Sequence, residues 1–253
     1  MKRLGVIGGL GPLATAYFFE LVVRMTQAVS DQEHVEMIIL NYPSVPDRTS
    51  YIVGNTKESP LPAMIAMGQQ LAKLGAEHIA IPCITAHYFH KELAGAIQVP
   101  IIHIVEETAK HLSCYGIRKA GIMATDGTVN AGLFQRELLK WGIEGILPDK
   151  EHQSYVMDLI YQDVKAGRPV EMDKFDRVSR YLKEGGAECI ILGCTELSLI
   201  KRESYLGAGY LDAMEVLARK SVLVSEACLK GEYQCLITKQ EREQAREIGG
   251  NAG

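Results

Sequence analysis

The chain has 253 residues, of which 47% are hydrophobic and 23% are charged, a composition typical of a folded globular protein rather than a disordered one. Its formal net charge of -4 and its scattered basic residues argue against a nucleic-acid partner. No apolar run approaches the ~20 residues that a membrane span needs, and no secretory signal precedes the first apolar segment, so we expect a cytoplasmic protein without a membrane partner.

Short apolar runs alternate with longer helical patterns along the chain. Between the first two runs, Pro12 is suited to the first position of a helix predicted over residues 13–28. Strands that are apolar nearly throughout are typical of a parallel sheet covered by helices on both faces, so the sequence predicts an α/β fold. The runs that predict strands are residues 4–7, 37–40, 77–81, 120–124 and 188–192.

The loop after the first predicted strand is rich in glycine and has the pattern Gly5-x-x-Gly-Gly-x-Gly11. Such a turn can bind a dinucleotide, but the next strand is followed by Asn41 where an acidic residue is expected, and Pro12 removes a backbone donor. We therefore predict that this loop lines a site for an anionic substrate. The segment 42–60 is predicted to be a long loop, and a candidate lid over that site.

An internal repeat divides the chain. Residues 75–83, Gly-Ala-Glu-His-Ile-Ala-Ile-Pro-Cys, align without a gap with residues 186–194, Gly-Ala-Glu-Cys-Ile-Ile-Leu-Gly-Cys. A weaker echo relates residues 5–9 to residues 121–125. The repeat predicts two related α/β domains.

We place these domains at residues 1–102 and 103–210. A C-terminal helix, within about residues 211–253, is expected to join the first domain. The charged stretch 239–247 is predicted to be a short helix that frays into a mobile tail.

Both copies of the repeat end in a cysteine, Cys83 and Cys194, at the carboxyl end of a predicted strand, where ligands gather in parallel sheets. Inverting an α-carbon requires a base on one face and an acid on the other, and a thiol can serve as either near neutral pH. A single cysteine in this position is more often a buried core residue, but its recurrence in both copies of the repeat favours a catalytic role. The other four cysteines, at 114, 189, 228 and 235, have no counterpart in the repeat and are interpreted as structural free thiols.

Several ordered motifs resemble the aspartate/glutamate racemase family, in particular its aspartate-racemase branch. They are residues 8–15, 43–49, 82–87 and 193–197 and the Lys165-Ala-Gly segment, and they cover nearly the whole chain. The resemblance implies two pseudo-symmetric α/β domains with the active site in the cleft between them, no pyridoxal phosphate or other cofactor, a small amino-acid substrate and a homodimer.

The resemblance also implies roles for individual residues. Cys83 and Cys194 match the acid/base pair, while Arg48 and Lys165 match cations for the side-chain carboxylate of the substrate. The residues matched to hydrogen-bonding roles are Thr85, Thr125 and Thr195.

Three further positions near the cysteines bear on the chemistry. Glu196 can tune the pKa of Cys194 or relay its proton, or else cap the following helix. His87 can orient the neighbouring thiol of Cys83. Ile84 occupies the position where the family usually has asparagine and cannot make that hydrogen bond, which leaves the identity of the amino acid open.

Other functions remain open on the sequence. They are racemisation of glutamate or another amino acid, a related lyase that uses one cysteine, a thiol hydrolase with one cysteine and a histidine base, and a non-catalytic amino-acid-binding protein. The spacing of Cys83, His87 and His90 could bring metal ligands together on a helix, but no second ligand pair is evident. Racemisation of an acidic amino acid, aspartate above all, is the function that the sequence favours.

Overall fold

A computed structural model describes residues 1–239, so the helix predicted over 239–247 lies outside the described residues apart from Lys239. The strands are β1 (Leu4–Gly8), β2 (Met37–Asn41), β3 (His78–Ala80), β4 (Lys119–Met123), β5 (Glu144–Ile146), β6 (Cys189–Leu192) and β7 (Tyr210–Asp212). The α-helices are α1 (Pro12–Met25), α2 (Arg48–Ile52), α3 (Leu61–Lys73), α4 (His90–Ala96), α5 (Ile104–Cys114), α6 (Asp126–Asn130), α7 (Leu133–Lys140), α8 (Lys150–Asp158), α9 (Met172–Glu184), α10 (Thr195–Glu203) and α11 (Ala213–Val224). Short 3-10 helices span Asp31–Glu33, Thr85–Phe89 and Gly231–Tyr233, and a π-helical turn spans Leu159–Val164.

The strands form two sheets with equivalent strand orders. In the first sheet the order is β2-β1-β3, and in the second it is β5-β4-β6-β7, with every pairing between these strands parallel. A parallel bridge between Ile79 and Ile101 lies beside β3, at the place that β7 occupies beside β6. The predicted fold of two related α/β halves with parallel sheets is therefore confirmed.

The element boundaries differ from the predicted ones by a few residues. Helix α1 ends at Met25 rather than at residue 28, because Thr26 has an extended backbone conformation. Strands β5 and β7 were not predicted, since these three-residue strands do not lie in a longer apolar run of the kind that predicts β3. The segment 42–60 is not a continuous loop, because Asp47 caps the five-residue helix α2 within it.

The helices at the ends of the two halves cross between them. Helix α11, which follows the last strand of the second sheet, packs against α1, and α5, which follows the first sheet, packs against α7 and α11. Phe18 of α1 and Leu217 of α11 accordingly share one buried apolar cluster with strand residues of both sheets, such as Val6 and Ile122. Each half also has a second apolar cluster of its own. We keep the division of the chain at residues 102 and 103 as a proposal.

The carboxyl ends of the central strands carry the segments that surround the candidate site. The loop after β1 turns at Gly9, whose φ of +89° favours glycine, and a Cβ there would lie 2.4 Å from the backbone nitrogen of Tyr42. Cys83 follows β3, Thr125 follows β4 and Cys194 follows β6. None of the helices in residues 1–239 is long and apolar enough to cross a membrane.

Candidate active site

One pocket lies between the two halves and is lined by residues from both. Eight of the nine site residues singled out from the sequence line it, and His87 does not. The lining residues are Leu10, Asp47, Arg48, Thr49, Cys83, Ile84, Thr85, Thr125, Tyr161, Lys165, Cys194, Thr195 and Glu196.

Cys194 is held as a hydrogen-bond donor at the N-terminus of α10. It is the N-cap residue of that helix and only 6% exposed, and its Sγ donates to Oε2 of Glu196 over 2.8 Å. Burial, and then the negative charge of Glu196, raise the pKa of Cys194 well above the usual value for a thiol. The resting form of Cys194 is therefore the neutral thiol.

Cys83 has a different electrostatic environment, because its neighbour is a guanidinium group. Burial opposes the positive charge of Arg48, but its interactions with Cys83, followed by those with Asp47 and Glu196, outweigh burial and raise the pKa of Arg48. A cation beside a cysteine sulfur stabilises the thiolate form. The two sulfurs of the pocket therefore have opposite partners, a cation at Cys83 and a carboxylate at Cys194.

Arg48 is fixed by the backbone around it. The side chain is 7% exposed, and its two terminal nitrogens donate to the carbonyl oxygens of Leu10 at 2.6 Å, Pro46 at 3.0 Å and Val45 at 3.2 Å. Its buried Nε has no hydrogen-bond partner. Most of the planar fork is thus directed at the protein's own carbonyl groups, which limits the bidentate contact that it can make with a bound carboxylate.

Lys165 lies at the outer part of the pocket, between two carboxylates. Its Nζ is 3.8 Å from Oδ2 of Asp47, 3.9 Å from Oε1 of Glu196 and 4.1 Å from the ring centroid of Tyr161. Burial opposes the charge of Lys165, but the surrounding groups, led by Glu196, are stronger and raise its pKa. Lys165 is therefore a cation throughout the neutral pH range.

A cluster of threonine hydroxyls joins the two halves beside the pocket. Thr85 Oγ1 shares hydrogen bonds of 3.0 Å with Oγ1 of Thr125 and with Oγ1 of Thr128. The segments approach closely at Gly127, where a Cβ would lie 3.0 Å from the Cα of Thr49. Thr195 lies on the other side of the pocket and donates from Oγ1 to Oε2 of Glu196 over 3.3 Å.

His87 is turned away from the pocket. Its ring is 3% exposed, with Nδ1 3.0 Å from the carbonyl oxygen of Cys83 and Nε2 3.2 Å from that of Ile102. Burial, and then the neighbouring His103 and His90, lower its pKa to about 3, so the ring is neutral. The contact is with the backbone of Cys83 rather than its thiol, and no group of three potential metal-binding side chains in residues 1–239 is placed to hold a metal ion.

Four polar residues of the site were not recognised in the sequence, namely Asp47, Thr49, Tyr161 and Thr128. Asp47 and Thr49 lie on either side of Arg48 in the motif at residues 43–49, so their positions could have indicated the site. Tyr161 lies on the π-helical turn, and its approach to Lys165 depends on that local geometry. Thr128 is one helical turn beyond the capping residue Thr125, and nothing in the sequence pairs it with Thr85.

Comparison with known proteins identifies the family. A family model described as Asp/Glu/hydantoin racemase matches residues 7–220. The chain belongs to this family. The matched segment of the chain includes every residue that lines the pocket, from Leu10 to Glu196.

Two relatives match this chain over most of its length and nearly all of their own. The structure of the aspartate racemase of Picrophilus torridus is 30% identical, with a TM-score of 0.80 over 93% of this chain and 99% of that chain. The broad specificity amino-acid racemase RacX of Bacillus subtilis is 28% identical over 226 residues, which are 87% of this chain and 96% of RacX. A glutamate racemase of Shewanella loihica is 27% identical over 173 residues, 66% of this chain and 64% of that protein. Membership of the family supports the assignment of this chain as an amino-acid racemase. The three relatives are named for different substrates.

Proposed function

We propose that this protein racemises an acidic amino acid, aspartate above all, by proton transfer between the α-carbon and the thiols of Cys83 and Cys194, without pyridoxal phosphate. The observation that carries the proposal is the pair of cysteines from opposite halves in one pocket, one beside a guanidinium and the other donating to a carboxylate. The similarity to an aspartate racemase over nearly the whole chain supports the choice of substrate.

The different partners of the two sulfurs supply a base and an acid at once. Cys83, which lies beside the positive charge of Arg48, is the base that removes the α-proton from one face of the substrate. The Cys194 thiol then delivers its proton to the opposite face, and the negative charge left on its sulfur is stabilised by Lys165. The other enantiomer uses the same two groups in reversed roles.

The remaining polar groups can hold the substrate during this exchange. Charge developing on the α-carboxylate needs donors that are already oriented, and the hydroxyls of Thr85, Thr125 and Thr195 line the pocket on both sides. Lys165 supplies positive charge for a side-chain carboxylate, whereas the charge of Arg48, whose terminal nitrogens donate to backbone carbonyls, acts at Cys83. The pocket is therefore equipped for both ends of a dicarboxylic amino acid.

Incubation with a panel of L- and D-amino acids in heavy water, with no pyridoxal phosphate added, tests the proposal. We expect loss of the α-proton signal of aspartate together with formation of the opposite enantiomer. Exchange with a product that has lost a carboxyl or another group would instead identify a lyase. Binding without exchange on the whole panel would identify an amino-acid-binding protein.

Glu196→Gln should change the pH dependence in one direction of the reaction. Glutamine keeps an acceptor for the Cys194 thiol but removes the charge that raises its pKa, so the pKa of Cys194 should fall. The direction in which Cys194 donates a proton requires the thiol, and its activity should then be lost at a lower pH than in the parent. The measurement is kcat/KM against pH for each enantiomer separately.

Glu203→Gln is the matched control for this variant. Glu203 is exposed and lies at the other end of the same helix, α10, so its neutralisation should leave both profiles unchanged. A Glu196→Gln variant whose two high-pH limbs both coincide with those of the parent would remove Glu196 from the control of Cys194.

A further inference from the structure

A buried polar residue lies four positions after each cysteine of the internal repeat. Ser198 follows Cys194 and His87 follows Cys83, and the two polar residues are 0% and 3% exposed. Neither of them lines the pocket. Ser198 and His87 therefore occupy equivalent places in the two halves, and the proposed proton transfer uses neither of them.

Ser198 ties helix α10 to the end of strand β7. Its Oγ donates to Oδ1 of Asp212 over 2.7 Å, and the same oxygen accepts a hydrogen bond of 2.8 Å from the backbone N–H of Met214, because Asp212 is the N-cap of α11. Asp212 pairs in register with Leu192 of β6, the strand that leads to Cys194. One carboxylate thus holds the helix that Cys194 caps against the sheet from which Cys194 emerges.

The burial of this carboxylate is costly. Asp212 is 0% exposed, and burial raises its pKa, opposed first by the positive charge of Lys201 and then by the hydrogen bond from Ser198. A serine or an asparagine could cap α11 without burying a charge. Capping therefore does not account for Asp212, whereas the strength of a carboxylate as the acceptor for Ser198 does.

His87 makes the equivalent link in the first half. Its Nδ1 and Nε2 lie 3.0 and 3.2 Å from the carbonyl oxygens of Cys83 and Ile102, and the neutral ring donates its single N–H to one of them. The centroid of its ring is 5.7 Å from that of His103, the N-cap residue of α5. His87 therefore lies between the backbone that carries Cys83 and the start of α5.

The places that these two side chains contact are equivalent as well. Ile79 and Ile190 match in the repeat, and they pair with Ile101 and Tyr210 in the neighbouring extended segments. The N-cap residues of α5 and α11 each lie two positions after these partners. Since α5 and α11 pack against each other, both links end in the core that the halves share.

We propose that Ser198, through Asp212, and His87 are positioning residues, each of which holds the backbone that carries one of the two catalytic cysteines. This inference rests on the proposed racemase function. A displacement of about 1 Å can cost about a hundredfold in rate, so the loss of one link should slow proton transfer at its own sulfur. The other sulfur keeps its own link and its own rate.

Each sulfur can be followed alone in a variant that lacks the other, through the entry of solvent deuterium at the α-carbon of aspartate. Ser198→Ala, which removes the hydroxyl and adds no volume, should lower this exchange by about tenfold or more in a Cys83→Ser background. In a Cys194→Ser background it should leave the exchange unchanged. His87→Leu should show the reverse pattern, and His87→Met repeats the test should the leucine variant fold poorly.

Ser221→Ala and His111→Leu are the matched controls. Ser221 is 0% exposed and donates to the carbonyl oxygen of Leu217 in its own helix, α11. His111 is 6% exposed on α5 and accepts from the backbone N–H of Leu236. Neither control residue lines the pocket, and both variants should leave the exchange unchanged in both backgrounds.

Alkylation by iodoacetamide gives a second measurement that does not depend on turnover. With both cysteines present, the rate at each thiol is followed by peptide mass spectrometry. Ser198→Ala should change the rate at Cys194 by about threefold or more and leave that at Cys83 constant, because thiol reactivity depends on access and local environment. His87→Leu should change the rate at Cys83 alone.

The outcomes separate this inference from the proposed function. A parent protein that exchanges no α-proton of aspartate would contradict the racemase proposal, and the alkylation rates would still decide whether each link holds its own cysteine. With an active parent, Ser198→Ala and His87→Leu variants that each slow exchange equally at both sulfurs would be acting on overall stability, which would overturn the inference. Exchange and alkylation rates that match the parent in both variants would overturn it equally.

Discussion

Cys83→Ser and Cys194→Ser should each lower the racemisation of aspartate by about two to four orders of magnitude, the contribution of a positioned acid or base. A serine hydroxyl is nearly the size of a thiol but is too weak an acid to exchange protons near neutral pH. Both cysteines are 6–7% exposed, so the substitution changes the chemistry of a confined site with little change in its volume. The measurement is the rate of formation of the opposite enantiomer, followed from each enantiomer in turn.

The residual activity of the two variants should show opposite stereochemical preferences. Each enantiomer loses its α-proton to a different sulfur, so a variant that lacks one sulfur can still exchange the proton on the face served by the other. Solvent deuterium should accordingly enter one enantiomer in Cys83→Ser and its mirror image in Cys194→Ser. This crossed pattern distinguishes a mechanism with two catalytic bases, one on each face of the α-carbon, from a mechanism with a single catalytic base.

The control for both variants is Cys228→Ser, since Cys228 is exposed and does not line the pocket. It should racemise at the parent rate. If Cys83→Ser or Cys194→Ser did so too, the corresponding sulfur would have no part in proton transfer, and the lyase or hydrolase interpretations would take precedence.

The two related halves were predictable from the sequence because the same motif occurs in each of them. The alignment of residues 75–83 with residues 186–194 places Cys83 after β3 and Cys194 after β6, and both strands lie beside the central strand of their sheet. The crossing of α5 and α11 carries no comparable signal. It depends on contacts between helices far apart in the chain, which local periodicity does not encode.

The polar contacts of the pocket were predictable only in part. The sequence indicated which residues carry charge near the cysteines, but the partners of those charges follow from side-chain directions. The resemblance predicts that Arg48 binds a substrate carboxylate, whereas its terminal nitrogens donate to the carbonyls of Leu10, Pro46 and Val45. Helix α2 is the cause, because it begins at Arg48 and returns the side chain towards the loop after β1.

Arg48→Met should lower both activity and stability. Removing the guanidinium withdraws the positive charge at Cys83, so kcat/KM on aspartate should fall by about a hundredfold or more. It also leaves three carbonyl oxygens without a donor at a nearly buried position, so the free energy of unfolding should fall by about 2–4 kcal/mol. Denaturant titration measures the second effect, and steady-state kinetics on the folded variant measures the first.

Lys165→Met separates the two contributions, because Lys165 supplies charge without an extended set of backbone contacts. Its ion pairs are 3.8 and 3.9 Å long and partly exposed, so their loss should change the free energy of unfolding by less than about 1 kcal/mol. Its kcat/KM on aspartate should fall, since the side-chain carboxylate of aspartate loses this cation. Arg48→Lys completes the series, because lysine keeps the charge but cannot reach all three carbonyl groups. Relative to Arg48→Met, it should recover more of kcat/KM than of the free energy of unfolding. If Arg48→Met, measured as a folded protein, matched the parent on aspartate, Arg48 would serve the fold alone and would have no part in proton transfer at Cys83.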